Sequence, residues 1–154
     1  MNTQLGDAPE ISTDQLAPIA LQFRRLLVRA MELNETNFRE LTTHMAYSGT
    51  EVARFARDFR TVRCSIGQRA GRTTSITALA TADDVIFVLG HAPAWKAYFS
   101  PKADVYSISS LSRALGTKKR WDRIWVDEWD LMPAEFRAEI YKLASDPKQQ
   151  FILL

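Results

Sequence analysis

A glycine-containing loop between two ordered-looking segments holds the residues best suited to chemistry. The β-prone run 62–66 leads into Gly67–Thr74, and Ser75–Ala80 then has the character of a helix. Backbone N–H groups at such a loop and at a helix N-terminus attract an anion. A cation, here Arg72, neutralises the anion, and a hydroxyl, here Thr73, ligates Mg²⁺. This order of groups predicts a phosphate-binding loop; the alternative is an ordinary strand–turn–helix corner.

Two adjacent acids follow a second apolar run. Arg123–Val126 resembles a buried parallel strand in composition, and Asp127 and Glu128 come directly after it. The carboxyl ends of such strands are where α/β folds place ligand sites. We expect Asp127 to hold Mg²⁺ through a water and Glu128 to orient and deprotonate an attacking water. The alternative is that both acids are simply solvated at a strand end.

Taken together, Gly67–Thr74 and Trp125-Val126-Asp127-Glu128 resemble the Walker A and Walker B motifs of P-loop NTPases with an additional catalytic glutamate. The two motifs are most similar to those of helicase and phage terminase large-subunit ATPases, and the resemblance covers roughly 61–154. Two positions depart from the Walker A pattern, because Arg72 replaces the lysine and Ile66 replaces the first glycine.

The resemblance implies an ATP- and Mg²⁺-binding protein. Gly71 would let the backbone approach the phosphates, Arg72 would contact the β- and γ-phosphates, and Thr73 would ligate Mg²⁺. Asp127 would hold the metal shell and Glu128 would be the catalytic base. The candidate nucleotide-binding residues are Gly67, Gln68, Arg69, Ala70, Gly71, Arg72, Thr73 and Thr74; the catalytic candidates are Glu128 and Arg72, and the metal candidates are Thr73 and Asp127.

Arg72 limits the activity that we expect. Arginine grips phosphate bidentately, but it is a larger, planar group than lysine. Phosphoryl transfer depends on strict positioning. We therefore expect that Arg72 still permits nucleotide binding but makes hydrolysis slow. Arg69 either shares the phosphate charge or is a solvated loop residue.

Composition narrows the class of protein. The chain has 154 residues, 46% apolar and 25% charged, as in an ordinary globular domain with a substantial core. A net charge of +2 and a pI of about 8.8 permit contact with nucleic acid without requiring it. Cys64 is the only cysteine and His44 and His91 are isolated, which argues against a disulfide and a structural zinc site. With no membrane-length apolar run and no signal-like start, we expect a cytoplasmic protein, bacterial or in an infected cell, that does not bind membranes.

We divide the chain into a loose tail (1–12), a helical segment (13–60) and a minimal P-loop-like core (61–154), the last two forming one structural domain. Apolar spacing predicts helices over 13–34, 35–45 and 50–58. Their arginines belong to a plain packing layer or to a docking surface for DNA or a partner. Strands are predicted at 62–66, 84–89, 104–108, 123–126 and 150–154, with helices between them. This alternation predicts an α/β fold with a three-layer parallel sheet.

Basic and aromatic residues suggest further contacts. Arg113, Lys118, Lys119 and Arg120 are candidates for contacting a nucleic-acid backbone, or else they are solvated. Alternation places Trp121 and Trp125 on one face of their strand. We expect core roles for both and for Trp129, with base or partner stacking as the alternative for Trp129.

In the family that the chain resembles, a polar sensor residue follows the next strand, and this sequence stops at Leu154, where that residue would come. We therefore expect a minimal ATPase core, a fragment or a derivative without motor function. Activity would need a homo-oligomer or a protein partner to accept or supply an arginine in trans, with Arg113, Arg120 and Arg137 as candidates on this chain.

Two functional hypotheses remain open. The first is a small P-loop ATPase in phage or cellular nucleic-acid processing such as packaging, replication or recombination. The second is a non-catalytic P-loop-derived module, for instance a viral accessory or inhibitor protein, that grips a protein partner. Asp127 and Glu128 favour the first; Arg72, Ile66 and the missing sensor favour the second.

Overall fold

The computed structural model describes residues 13–38, 49–65, 71–99 and 103–154. The predicted tail 1–12, the loop residues 66–70 and the segment 39–48 lie outside these ranges, and with them the predictions for Gly67, Gln68, Arg69 and Ala70. In the part of the chain that is described, no helix has both the length and the apolar character needed to cross a membrane.

Five parallel strands form one sheet in the order β1-β5-β4-β2-β3. Its strands are β1 (Thr61–Arg63), β2 (Asp84–Val88), β3 (Asp104–Ser107), β4 (Arg123–Val126) and β5 (Gln150–Leu153). The α/β class and the all-parallel sheet predicted from sequence are confirmed. The last strand inserts between β4 and β1, because Phe151 is in register with both Ile124 and Thr61.

Helices alternate with these strands. They are α1 (Thr13–Phe38), α2 (Gly49–Phe59), α3 (Arg72–Leu79), α4 (Ala92–Tyr98), α5 (Leu111–Gly116) and α6 (Ala134–Glu139). Short 3₁₀ turns occupy Ile108–Ser110, Trp129–Leu131 and Ile140–Leu143. The N-terminal helix and the helix–strand alternation therefore follow the predicted order.

Two apolar clusters lie on opposite faces of the sheet. Side chains alternate along a strand, so Val85 belongs to one cluster and Ile86 to the other. The first cluster draws on α2, α5 and α6 through residues such as Phe136, and the second draws on α1 and α3 through residues such as Leu27 and Ile76. Burying each such large apolar side chain contributes about 1.5–3 kcal/mol. Helices thus cover both faces, as in a three-layer α/β fold.

The first helix is longer than predicted. Asn34 was expected to end it, yet α1 continues to Phe38 and includes the start of the predicted second helix. The Asn34 side chain donates to the carbonyl of Phe59 at 2.7 Å and accepts from Arg60 at 3.2 Å and Gln150 at 2.9 Å. These tertiary hydrogen bonds offset the weak helix propensity of asparagine.

Trp121 faces the opposite side of the sheet from the one predicted. It packs in the first cluster with Ile124, while Trp125 belongs to the second. Because β4 begins at Arg123, strand alternation does not extend back to Trp121. Its indole N–H instead donates to Asp104 Oδ2 at 2.7 Å.

The first strand is shorter than predicted. It ends at Arg63, although the amide of Cys64 still donates to the carbonyl of Leu153 at 3.0 Å. Cys64 is partly buried rather than fully enclosed, and that burial raises the pKa of its thiol.

Candidate functional site

Thr73 and Asp127 meet at the carboxyl edge of the sheet. Thr73 lies in the first turn of α3, which follows β1, and Asp127 comes immediately after β4. Carboxyl ends of parallel strands share one edge, so the two predicted motifs converge there. The hydroxyl of Thr73 donates to Asp127 Oδ2 at 2.8 Å across 54 residues of sequence. This hydrogen bond joins the predicted phosphate loop to the predicted metal-binding acid.

Asp127 is a buried carboxylate, only 5% exposed. Its Oδ1 accepts from the amide of Glu128 at 3.0 Å, and its own amide donates to the carbonyl of Phe87 in β2 at 3.1 Å. Burial raises the pKa of Asp127, although the Thr73 hydroxyl, the charge of Arg72 and the Glu128 amide all act in the opposite direction. Desolvation is the largest effect and disfavours the charged form of Asp127, so a nearby cation would stabilise the ionised carboxylate.

The oxygen atoms of Thr73 and Asp127 suit Mg²⁺, which takes few protein ligands, better than they suit a metal ion ligated only by protein side chains. Within the described ranges, no three His, Cys, Asp or Glu side chains are grouped to hold a metal ion. Thr73 and Asp127 offer one hydroxyl and one carboxylate, each already oriented by the other. Mg²⁺ commonly takes one or two carboxylates and completes its shell with water and substrate phosphates. The two residues therefore suit an ion that arrives with a phosphate ligand.

Glu128 has an unusual backbone conformation. Its φ of 58° and ψ of 43° are left-handed, which costs a non-glycine residue about 1–2 kcal/mol. Two hydrogen bonds hold the turn. The amide of Trp129 donates to the carbonyl of Leu154 at 2.7 Å, and the amide of Leu131 donates to the carbonyl of Glu128 at 2.9 Å. Strained residues of this kind concentrate at functional sites. Glu128 stands beside Asp127 in a fixed turn, half-buried.

Gly71 is required by the fold itself. It precedes α3 with a φ of +82°, a conformation that side chains disfavour. A Cβ at this position would lie 2.5 Å from the Cβ of Ala20 in α1. The sequence suggested close approach to a phosphate, and the structure shows a close approach to α1. Next to it, Arg72 is half-buried and near enough to Asp127 for its charge to act on that carboxyl, while Thr74 is exposed.

A polar cluster around Asp130 was missed by the sequence reasoning. Arg63 Nη2 contacts Asp130 Oδ1 at 2.9 Å and the hydroxyl of Ser65 donates to Oδ2. Arg137 donates to the carbonyl of Asp130 at 2.6 Å. Hydrogen bonds from Ser65 and then Arg63 lower the pKa of Asp130. The cluster ties the segment that enters the glycine loop to the turn after Glu128; its only sequence signal was an acid close behind Asp127.

Of the predicted nucleic-acid residues, Lys118, Lys119 and Arg120 lie away from this site. Lys119 and Arg120 precede β4 and therefore lie toward the amino edge of the sheet. Lys119 pairs with Asp104 at 2.6 Å, and Arg120 lies 3.5 Å from Asp122 and 3.4 Å from Asp146. Lys118 is exposed in the same segment, with a φ of 52°.

The predicted trans arginines differ in their surroundings. Arg137 lies over the ring of Trp129, 5.4 Å from its centroid, and Trp129 is buried in the first cluster, as its predicted core role requires. Arg120 is ion-paired, whereas Arg113 is exposed on α5. Arg113 is therefore the candidate best placed to reach another molecule.

Comparison of this chain with protein-family models, with curated proteins and with solved structures finds no match. The function is accordingly argued from the geometry at the carboxyl edge of the sheet.

Proposed function

We propose that the carboxyl edge of the sheet binds a nucleoside triphosphate, ATP by the family resemblance, together with Mg²⁺. The supporting observation is the 2.8 Å hydrogen bond from Thr73 to the buried Asp127. A plain strand–turn–helix corner has no need to aim a hydroxyl at a desolvated acid. A P-loop site does, since the hydroxyl and the acid serve the same metal ion.

The position of Asp127 in the sheet supports the same proposal. The helix after β4 packs in the first cluster through Phe136, whereas Phe99, at the end of the helix after β2, packs in the second. Neighbouring strands whose connections leave to opposite faces open a crevice at their carboxyl ends. Asp127 directly follows β4 and its amide donates to the carbonyl of Phe87 in β2, so it stands where such a crevice is expected.

Each residue then has a defined task. Arg72 neutralises phosphate charge, and Thr73 and Asp127 orient the metal ion, which would offset the negative charge of the phosphates. Glu128 accepts a proton from the attacking water if hydrolysis occurs. Because arginine stands in place of lysine, we expect the site to bind the nucleotide and to hydrolyse it slowly.

A calorimetric titration with Mg-ATP tests the binding proposal. Arg72→Ala should weaken binding about 10- to 100-fold, the equivalent of a charged hydrogen bond. Arg54→Ala, at an exposed arginine of α2, is the matched control and should bind like the wild type. Absence of wild-type binding at about 1 mM Mg-ATP would refute the proposal.

Hydrolysis needs a separate measurement. Glu128→Gln should abolish phosphate release and keep Mg-ATP affinity, since an amide cannot take the proton. Equal turnover in that variant would place the base elsewhere. The second candidate function is a non-catalytic module, and the observation that favours it is Arg72 in the lysine position. Binding of Mg-ATP by the wild type without phosphate release, with any oligomer or partner, would support this second function.

The proposed setting in nucleic-acid processing rests on the resemblance and on the basic run Lys118–Arg120. The basic run that suggested it is partly neutralised by ion pairs to Asp104, Asp122 and Asp146. Exposed pairs of this kind are worth about 0–1 kcal/mol, so a polyanion could displace them. Titration with single- and double-stranded DNA at two salt concentrations would show whether phosphates contact this chain.

A further inference from the structure

The outer edge of β3 lies in a groove. Among the described strands β3 pairs with β2 alone, so its other edge carries main-chain N–H and C=O groups without a strand partner. The groove measures about 530 Å³ and follows all four residues of Asp104–Ser107. Residues 91–96 around the start of α4 form one wall, and residues 109–113 form the other. A free strand edge is a template for pairing with another chain.

Within the described residues, the edge of β3 also lacks the usual obstacles to pairing. β3 contains no proline, and its register with β2 runs without a bulge from Asp104 to Ser107. Natural edge strands are commonly protected by prolines, bulges or inward-pointing charges. The one charged side chain in β3, Asp104, is engaged by Lys119 and by the indole of Trp121. An added strand would therefore run beside four residues, of which alternate ones direct their N–H and C=O groups outward.

The two walls carry positive charge. Lys96 on α4 and Arg113 on α5 are both exposed and both line the groove. Among the described lining residues Asp104 is the only acid, and its contact with Lys119 offsets that charge. The groove thus complements an acidic ligand.

We propose that this groove binds an extended peptide with acidic side chains, which adds a sixth strand along the outer edge of β3. Successive side chains of a strand point to opposite faces. Adjacent acids in the peptide would therefore face opposite walls, one toward Lys96 and the next toward Arg113. The repeat of N–H and C=O groups along β3 matches a peptide rather than a sugar–phosphate backbone, and pairing to an exposed edge is an established mode of peptide recognition.

The test uses the whole ¹⁵N-labelled chain, without nucleotide, and the capped peptide Thr-Val-Glu-Glu-Val-Thr. Binding should shift the amide resonances of Val105, Tyr106 and Ser107, and it should slow hydrogen exchange at those of these amides that point away from β2. The double variant Lys96→Glu with Arg113→Glu should bind about tenfold more weakly or worse, as expected from the loss of two exposed ion pairs. The double variant Arg54→Glu with Lys142→Glu, at two exposed cations outside the groove lining, carries the same charge change and should bind normally.

Two further probes separate pairing from charge. A peptide of the same sequence with all of its internal amides N-methylated keeps both acids but has no N–H group to complete the ladder through either edge, so it should not bind. Equal binding of the methylated peptide, or no binding of the parent peptide at about 1 mM, would overturn the proposal. So would an oligothymidylate that binds in a manner dependent on Lys96 and Arg113 while the peptide does not. Since ATP is omitted, failure here leaves the nucleotide proposal untouched.

Discussion

The hydroxyl of Thr73 is 2.8 Å from Oδ2 of Asp127 and donates a hydrogen bond to it, although the two residues are 54 positions apart in the sequence. Asp127 is almost completely buried, so this bond is one of the few that its carboxylate receives. The contact therefore links folding stability to the proposed ligand site, and a single substitution tests both.

Thr73→Val should lower the free energy of unfolding by about 1–3 kcal/mol, because it leaves a buried acceptor without its donor. Valine keeps the shape and β-branching of threonine, so helix propensity changes little. Thr73→Ser retains a hydroxyl and should stay within about 1 kcal/mol of wild type. Urea denaturation measures both; equal stability of the Val and Ser variants would mean that the hydrogen bond contributes nothing.

The raised pKa of Asp127 predicts a pH dependence of defined sign. Folded protein keeps the Asp127 proton above the ordinary value of 3.8, where the unfolded chain has lost it. The folded state thus binds more protons in that interval, so the contribution of Asp127 to stability falls as pH rises from 3.8 through the folded pKa. Without divalent ions, Asp127→Asn should remove this decline, as measured by urea denaturation across the interval.

Asp104 serves as the control of opposite sign. Burial would raise its pKa, but Lys119 and Trp121 outweigh burial, and the net shift is downward. Its contribution is present above 3.8 and is lost as pH falls through the folded pKa. Asp104→Asn should therefore cost stability at neutral pH. If both asparagine variants changed the pH profile in the same direction, the assignment of these shifts would be wrong.

Glu128→Gly should raise the stability of the fold by up to about 1 kcal/mol, because glycine adopts φ 58° without strain. The same variant should abolish any ATP hydrolysis, since it removes the proposed base. Lys118→Gly, at the other described non-glycine residue with positive φ, should give a similar gain and leave hydrolysis unchanged. Thermal denaturation and phosphate release measure the two effects. Loss of stability in Glu128→Gly would show that the carboxylate holds the turn together.

Gly71→Ala should destabilise the protein by more than about 1–2 kcal/mol, because the new Cβ would be left-handed and would collide with Ala20 of α1. Gly116→Ala is the matched control, since a Cβ there meets no described atom within 4 Å. It should be neutral or slightly stabilising. Comparable losses in the two variants, measured by urea denaturation, would contradict the proposed α1 contact.

Local patterns predicted the elements of the core well, because each buried strand is a compact apolar run. The run before Asp127 became β4, and Asp84–Val88 became β2. The convergence of Thr73 and Asp127 was also accessible, since both follow predicted parallel strands. The strand assignments depend on residues near one another in sequence, and the convergence follows because the carboxyl ends of parallel strands share one edge.

Features set by distant contacts were not accessible. The insertion of β5 between β1 and β4 depends on pairings of the whole sheet, and the continuation of α1 past Asn34 depends on Phe59, Arg60 and Gln150. The same holds for Gly71, whose contact with Ala20 spans 51 positions of the numbering, from 20 to 71.

The place of β5 in the sheet also orders events on the ribosome. Among the described strands β1 pairs only with β5, so Thr61 has no strand partner until Phe151 has been synthesised. Domains with such distant pairings fold slowly, because the closure entropy of the intervening chain comes before the contacts. A nascent chain that has emerged only through β4 would hold β1 as an unsatisfied strand, open to mispairing or to a chaperone. The proposed nucleotide site should therefore be complete only after β5 has left the exit tunnel.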